Sequence, residues 1–270
     1  MTTFEALILG VVQGVTEFLP ISSTAHLRIV PALLGWRDAG AAFTAVLQLG
    51  SLLAVLGYFL PDLLRMLRAA GTALRDRSRP PEPAARQLVY LLVGTVPVGI
   101  AGIAFKHAIE GSLRSLWVIA TALIVVALAL AWVERNARRD RDFESIGLRD
   151  AVIIGCAQAL ALIPGVSRSG ITLLAALALG LRREPAARFS FLLSVPAVAA
   201  AGIFELPKVL RAHDVGGGAL LIGLIAAAIA GYASIAWLLR FLRARSTIPF
   251  VIYRVALGSL LLFLLATGRL

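Results

Sequence analysis

The feature that most limits the fold is a set of six long apolar runs, at residues 41–60, 88–105, 113–133, 188–206, 219–239 and 249–267. Each has about 18 to 21 residues, and at 1.5 Å rise per residue such a run matches a hydrocarbon core about 30 Å thick. Backbone crossing lipid must satisfy its own hydrogen bonds, and at this length the solution is the α-helix. The chain has 270 residues, 59% of them hydrophobic, with a mean hydropathy of +0.89. That length predicts a single membrane domain over 1–270 and leaves no room for a second, soluble one.

A net charge of +11 would suit nucleic acid in a soluble chain. Here about 17 of the lysines and arginines lie in four short segments, 61–87, 134–149, 181–188 and 240–247, where the positive-inside rule accounts for them. Nucleic acid is therefore not an expected partner. The segment from Arg65 to Arg86 reads as an anchor facing anionic lipid, and 78–83 is its one stretch expected to be flexible. Cys156 is the only cysteine, which excludes an intrachain disulfide. The first residues lack the basic n-region of a signal peptide, so 4–19 is expected to be retained structure.

Two regions do not read as simple spans. Residues 4–34 are broken at Leu19-Pro20-Ile21-Ser22-Ser23-Thr24, and residues 148–181 at Pro164-Gly165-Val166-Ser167-Arg168-Ser169-Gly170. Proline removes a backbone donor and Pro-Gly ends a helix. Non-helical backbone at membrane depth survives only where protein or a water-filled cavity surrounds it. Each region is therefore read as two half-helices joined by a polar tip. A shift of 145 residues superposes them, placing Gly10 on Gly155, Gln13 on Gln158, Ser22 on Ser167, Gly35 on Gly180 and Arg37 on Arg182, with about 13 identities over 5–59. If both regions are re-entrant and the N-terminus is outside, all four basic segments fall on the cytoplasmic side, a more lopsided split than spanning regions allow. Three spans per half is an odd number, which inverts the halves. The expected fold is all-α: a polytopic membrane protein with six transmembrane helices plus two re-entrant helix hairpins in an inverted-topology repeat, about 1–134 and 146–270.

The tips carry the chemistry. Helix N-termini present free N–H groups and partial positive charge, and Ser22, Ser23, Thr24, Ser167 and Ser169 are N-cap residue types. Two such N-termini facing one point make an anion site, to which Arg168 adds a planar guanidinium suited to phosphate. Glu17 lies one helical turn after Gln13 on the same face. Its role stays open among holding a divalent cation, activating a water or serine, and pairing with Arg168. His26 is within helical reach of Ser22 and Ser23, as a base or as an acid for a leaving group. His107 and His213 read as solvated in outer loops. Arg254 is expected near the inner end of the last span, snorkelling or paired internally, and Arg28 likewise.

"GVVQGVTEFLPISSTAH" and "PGVSRSGIT" resemble the two signature motifs of the bacterial undecaprenyl-diphosphate phosphatases, the bacitracin-resistance family, and the resemblance extends to "FVIYRVALG" near the end. It implies an integral enzyme of the bacterial plasma (inner) membrane that removes the terminal phosphate of undecaprenyl diphosphate, recycling the lipid carrier for peptidoglycan. It also implies a divalent cation (Mg²⁺ or Ca²⁺), held here at Glu17, and a site open to the outer face. On the family pattern Glu17, Ser23, His26 and Arg168 are the catalytic positions, and Gln13, Ser22, Thr24, Ser167, Ser169 and Thr172 support substrate binding. Two positions differ from the commoner pattern: Gln13 takes the first acidic place and Ala25 stands where glycine is usual. Ser23 is the candidate nucleophile, with Glu17 or His26 as base; direct attack by His26, or its protonation of the leaving group, stays open, as does water as the nucleophile. Expected partners are the polyprenyl diphosphate and membrane lipids, with a homodimer left open. The alternative from another class is a lipid-phosphate flippase or anion transporter, which would use the same positive tips but has no need of a base and a nucleophile.

Overall fold

The computed structural model describes residues 1–76, 82–212 and 216–269; residues 78–81 of the stretch expected to be flexible, and His213, lie outside these. In chain order the helices are α1 Thr3–Phe18, α2 Ser23–Leu34, α3 Gly40–Tyr58, α4 Leu60–Arg75, α5 Pro83–Ala104, α6 Lys106–Glu110, α7 Leu116–Asn136, α8 Leu148–Ala159, α9 Arg168–Ala178, α10 Arg183–Ala212, α11 Gly217–Ala244 and α12 Ile248–Ala266. Among the described residues there is no strand, only a bridge between Arg141 and Leu181. The protein is an all-α polytopic membrane protein. Helices α5, α7, α10, α11 and α12 are each long and apolar enough to cross a membrane. A sixth span is obtained if α3 is taken with α4, from which it is bent by 74°.

Local sequence explains the breaks. Helix α1 opens on a capping box, in which Thr2 Oγ1 accepts from Glu5 N–H and Glu5 Oε2 accepts from Thr2 N–H. It stops at Leu19, whose extended backbone is what a following proline imposes. Helix α2 then starts from Ser22, whose hydroxyl accepts from Ala25 N–H, and ends at the left-handed Gly35. The second region repeats this. Gly165 turns left-handed after Pro164, Ser167 caps α9 by accepting from Gly170 N–H, and Gly180 turns left-handed at the exit. Ser22 (φ 75°) and Ser167 (φ 71°) are the non-glycine residues with positive φ among those described, and the 145-residue shift relates them. Two strained serines at equivalent tips mark positions where structure over-determines the backbone.

None of α1, α2, α8 and α9, at 16, 12, 12 and 11 residues, reaches the roughly 20 needed to span. Each pair comes back to the end it enters. Phe4, in the first turn of α1, and Trp36, just after α2, stand ring to ring at 6.4 Å. Arg141, before the second pair, bridges to Leu181 after it, and its guanidinium forks onto Asp150 at 2.7 and 3.0 Å.

Small residues let the hairpins into the bundle. Helix α1 lies on α11, where a Cβ added to Gly14 would sit 2.7 Å from Gly231 N. Helix α8 lies on α5, where a Cβ on Gly155 would sit 2.8 Å from Gly94 Cα. Close backbone approach of this kind is how helices gain packing energy in lipid, where the hydrophobic effect between helices is absent. The two contacts are reciprocal, each hairpin packing on a long helix from the other half of the chain, while α3 meets α10 and α7 meets α12.

The four basic segments gather at one end, stitched by ion pairs. Glu134 accepts from Arg139, Arg183 and the Thr247 hydroxyl. Arg188 binds Asp62 at 2.6 Å and lies over the rings of Phe59 and Phe143, which holds the bend between α3 and α4. At the opposite end Arg114 donates to both oxygens of Asp38 at 3.0 Å, and Arg28 approaches the same carboxylate at 3.6 Å. Burial alone would raise the Asp38 carboxyl, but the Arg114 hydrogen bond and Gly40 N–H outweigh it and leave it below the usual carboxylate range.

Candidate active site

The tips of the two hairpins meet inside the bundle. Gln13 and Glu17, one turn apart on α1, are both buried, and Gln13 Nε2 donates to Glu17 Oε2 at 2.8 Å and to Ser51 Oγ on α3 at 3.3 Å. The break at Pro20 folds the chain back so that Ser23, first residue of α2, donates from Oγ to the same Glu17 Oε2 at 2.5 Å. From the other tip Arg168, first residue of α9, donates from Nη2 to Glu17 Oε1 at 2.6 Å. One carboxylate thus gathers an amide, a hydroxyl and a guanidinium across 151 residues of chain. An ionised carboxylate so far from water is tolerable only with partners on both oxygens, and Glu17 has them. Arg168 Nη1 is buried and has no hydrogen-bond partner. It is a permanent positive donor still lacking an acceptor, close to the N-termini of two half-helices.

Further contacts lock the tips together. Ser169 Oγ donates to Leu19 C=O of the first tip at 3.0 Å. Arg254 of α12 is wholly buried and donates to Pro20 C=O of the first tip, to Gly165 and Val166 C=O of the second, and to Ala122 and Leu123 C=O of α7, at 3.0 to 3.3 Å. A single guanidinium spreads its donors over three chain segments, which an ammonium cannot do. Of the two expectations for Arg254, snorkelling is not met and internal pairing is: it is wholly buried and its carbonyl partners belong to the two tips and α7.

The model of the family described as bacitracin resistance protein BacA matches residues 6–260. The chain belongs to that family. Among similar proteins, an undecaprenyl-diphosphatase of Myxococcus xanthus is 55% identical over 271 residues, covering all of this chain and 91% of its own. Proteins of the same name from Nocardioides sp. and Gloeobacter violaceus are 51% and 52% identical, covering 98% and 99% of this chain and 97% and 93% of theirs.

In this BacA family member the residues singled out from the sequence divide into three groups. Gln13, Glu17, Ser23 and Arg168 form one cluster. Ser22 and Ser167 are spent mainly on capping their half-helices, with side contacts to Thr24 Oγ1 at 3.1 Å and Ser169 Oγ at 3.3 Å. Thr172 and His26 face elsewhere. Thr172 Oγ1 bonds to Arg168 C=O and to Ser190 Oγ of α10, at 2.7 and 2.6 Å. His26 turns its Nδ1 to Ser22 C=O and its Nε2 to the Tyr253 hydroxyl, and no hydrogen bond joins it to Ser23. The second tip has no counterpart of the carboxylate: Leu162 occupies the position equivalent to Glu17 and Pro196 that equivalent to Ser51. Gln158, equivalent to Gln13, is buried with neither amide atom hydrogen-bonded. Ser51, Ser190 and Tyr253 were not found from the sequence, because isolated hydroxyls in apolar helices give no local signal. Tyr253 and Arg254 both lie in "FVIYRVALG", which was the available hint.

Proposed function

We propose that this chain hydrolyses undecaprenyl diphosphate to undecaprenyl phosphate and inorganic phosphate, which recycles the lipid carrier of cell-wall synthesis and confers bacitracin resistance. The observation that carries the reading is the Glu17 cluster: a nucleophile-type hydroxyl on a carboxylate at 2.5 Å, beside a guanidinium with a free, buried donor. The names of the full-length relatives support the substrate.

The terminal phosphoryl group sits between the tips, its oxygens on Arg168 Nη1 and on N–H groups at the starts of α2 and α9. Ser23 Oγ attacks phosphorus in line with the anhydride bond and Glu17 takes its proton. The P–O anhydride bond breaks and undecaprenyl phosphate leaves with the bridging oxygen. Water then cleaves the phosphoserine, releasing inorganic phosphate. His26, bonded away from Ser23, is the less suited base.

A divalent cation belongs to the proposal. Among the described residues no three His, Cys, Asp or Glu side chains stand together. Gln13 Oε1, however, is buried beside Glu17 without a partner. One carboxylate and one amide oxygen suit a hard cation that takes its other ligands from phosphate and water, as Mg²⁺ commonly does. Glu17 and Gln13 would hold it, and it would offset phosphate charge. Thr172, with its hydroxyl on Ser190, would support the turn of α9 instead of touching substrate.

The basic end of the molecule is cytoplasmic under the positive-inside rule. Both termini and the mouth of the site then face outward from the bacterial plasma membrane. The reciprocal packing of the hairpins supports an inverted-topology repeat, with halves about 1–134 and 146–270.

Purified chain in detergent, given undecaprenyl diphosphate and Mg²⁺ or Ca²⁺, should release phosphate. Glu17→Gln and Ser23→Ala should each lower kcat by at least roughly a hundredfold, the scale of a lost general base or nucleophile. Arg168→Ala should do the same while the protein still unfolds cooperatively. Full turnover in Glu17→Gln would sink the assignment of the base, and wild type that moves lipid phosphate across liposomes without releasing any would favour the carrier.

A further inference from the structure

His26 Nδ1 lies 2.7 Å from Ser22 C=O, and His26 Nε2 lies 2.6 Å from the Tyr253 hydroxyl. A carbonyl oxygen only accepts, so Nδ1 carries the proton. In the neutral imidazole Nε2 is then the acceptor, and Tyr253 must donate to it. The two ring planes are within 9° of parallel, with centroids 5.7 Å apart. The order of donation is therefore Tyr253 to His26 to Ser22.

The end of that chain is a residue under strain. Ser22 has φ 75° and ψ 96°, outside the regions an L-residue prefers. Its carbonyl accepts from His26 N–H at 3.2 Å as well as from the imidazole. Ser23, the next residue, places its hydroxyl on Glu17. The second tip has the same left-handed serine, Ser167, but Ile171 stands where the shift would put an imidazole. There the neighbouring carbonyls, Gly165 and Val166, are held by Arg254. Consecutive residues of α12 thus steady the two strained turns, one through His26 and one directly.

We propose that Tyr253 is a further positioning residue of the site, acting through His26: its hydroxyl donates to Nε2 and holds the imidazole in place while Nδ1–H grips the Ser22 carbonyl, and so aims Ser23 at the reacting phosphorus. It rests on the phosphatase reading for its kinetic consequence, though not for its geometry. Tyr253 is half exposed and His26 buried, so the tyrosine can lose its hydroxyl without opening the core.

Two measurements on the full-length chain in detergent test this. The first is a double-mutant cycle on phosphate release. Tyr253→Phe should lower kcat roughly tenfold, the scale of one lost hydrogen bond, with KM within about twofold. In a His26→Ala background the same change should cost less than about twofold. Equal losses in both backgrounds, or full activity in Tyr253→Phe, would overturn the proposal. The second needs no activity. With His107 and His213 replaced by Gln, ¹⁵N-histidine spectra should show His26 protonated at Nδ1 and bare at Nε2. Tyr253→Phe should keep the proton on Nδ1 and move the Nε2 resonance to that of an imidazole nitrogen accepting no hydrogen bond. A wild-type spectrum protonated at Nε2, or one unmoved by Tyr253→Phe, overturns the proposal. Absence of phosphate release from wild type would count against the phosphatase reading, and the spectra would still decide on Tyr253.

Discussion

Glu17 and Arg254 show two ways a charge can live deep in a membrane protein. Glu17 is compensated by three side chains, those of Gln13, Ser23 and Arg168. Arg254 is compensated by backbone alone, five carbonyl oxygens from three segments. The first arrangement is chemical and the second architectural, and substitutions should separate them. Glu17→Gln should leave the unfolding midpoint little changed while activity disappears. Arg254→Met should orphan the tip carbonyls of Pro20, Gly165 and Val166 and cost about 2–4 kcal/mol, lowering the unfolding midpoint by several degrees along with kcat. Arg254→Lys keeps the charge but offers three donors from one point, so it should recover part of the stability and little of the activity. Thermal unfolding in detergent beside phosphate release reads both quantities. An Arg254→Lys protein of wild-type turnover would show that charge, not the spread of donors, sets the tips.

Among the elements, the half-helices do most to make the site, and they do it by stopping. A continuous helix through residues 18–23 would bury the N–H groups of Ser23 and Thr24 in its own ladder; the break at Pro20 frees them from it. The hairpins reach that depth because α1 and α8 run on glycine. Gly14 meets Gly231 and Ala227 of α11, and Gly155 meets Gly94 of α5. Gly14→Val should therefore push α1 off α11, cost about 1–3 kcal/mol by overpacking and displace Glu17 three residues on, so that melting and kcat fall together. Gly57 of α3 has open space around a would-be Cβ, and Gly57→Ala should be neutral or slightly stabilising. Equal tolerance at both positions, measured by unfolding midpoint, would remove close packing as the reason for glycine at position 14.

For the molecule as a whole the decisive question is orientation. The two ends differ in charge, with Glu134, Asp62 and Glu184 binding arginines of the basic segments at one end and Asp38 binding Arg114 and Arg28 at the other. In a Cys156→Ser background, His107→Cys should react with a membrane-impermeant maleimide in intact cells, and Glu144→Cys only after permeabilisation. Labelling at Glu144 without permeabilisation would reverse the membrane orientation. The sequence by itself determined the broken regions, the serine caps, the glycine exits and the basic end. These depend on interactions within a few residues, on proline's missing donor, on cap hydroxyls and on runs of charge, and each is written where it acts. It also named the residues of the Glu17 cluster, through their motifs. Only the tertiary structure decided that Arg168 reaches Glu17, that Arg254 clamps both tips, that His26 answers to Tyr253 and that Thr172 turns to Ser190. Those contacts join residues 88 to 234 apart in the chain, or in the last case 18, and they follow from how backbones pack. A hydroxyl or guanidinium in an apolar helix carries no local mark of the carbonyl or imidazole it will meet once its helix is seated.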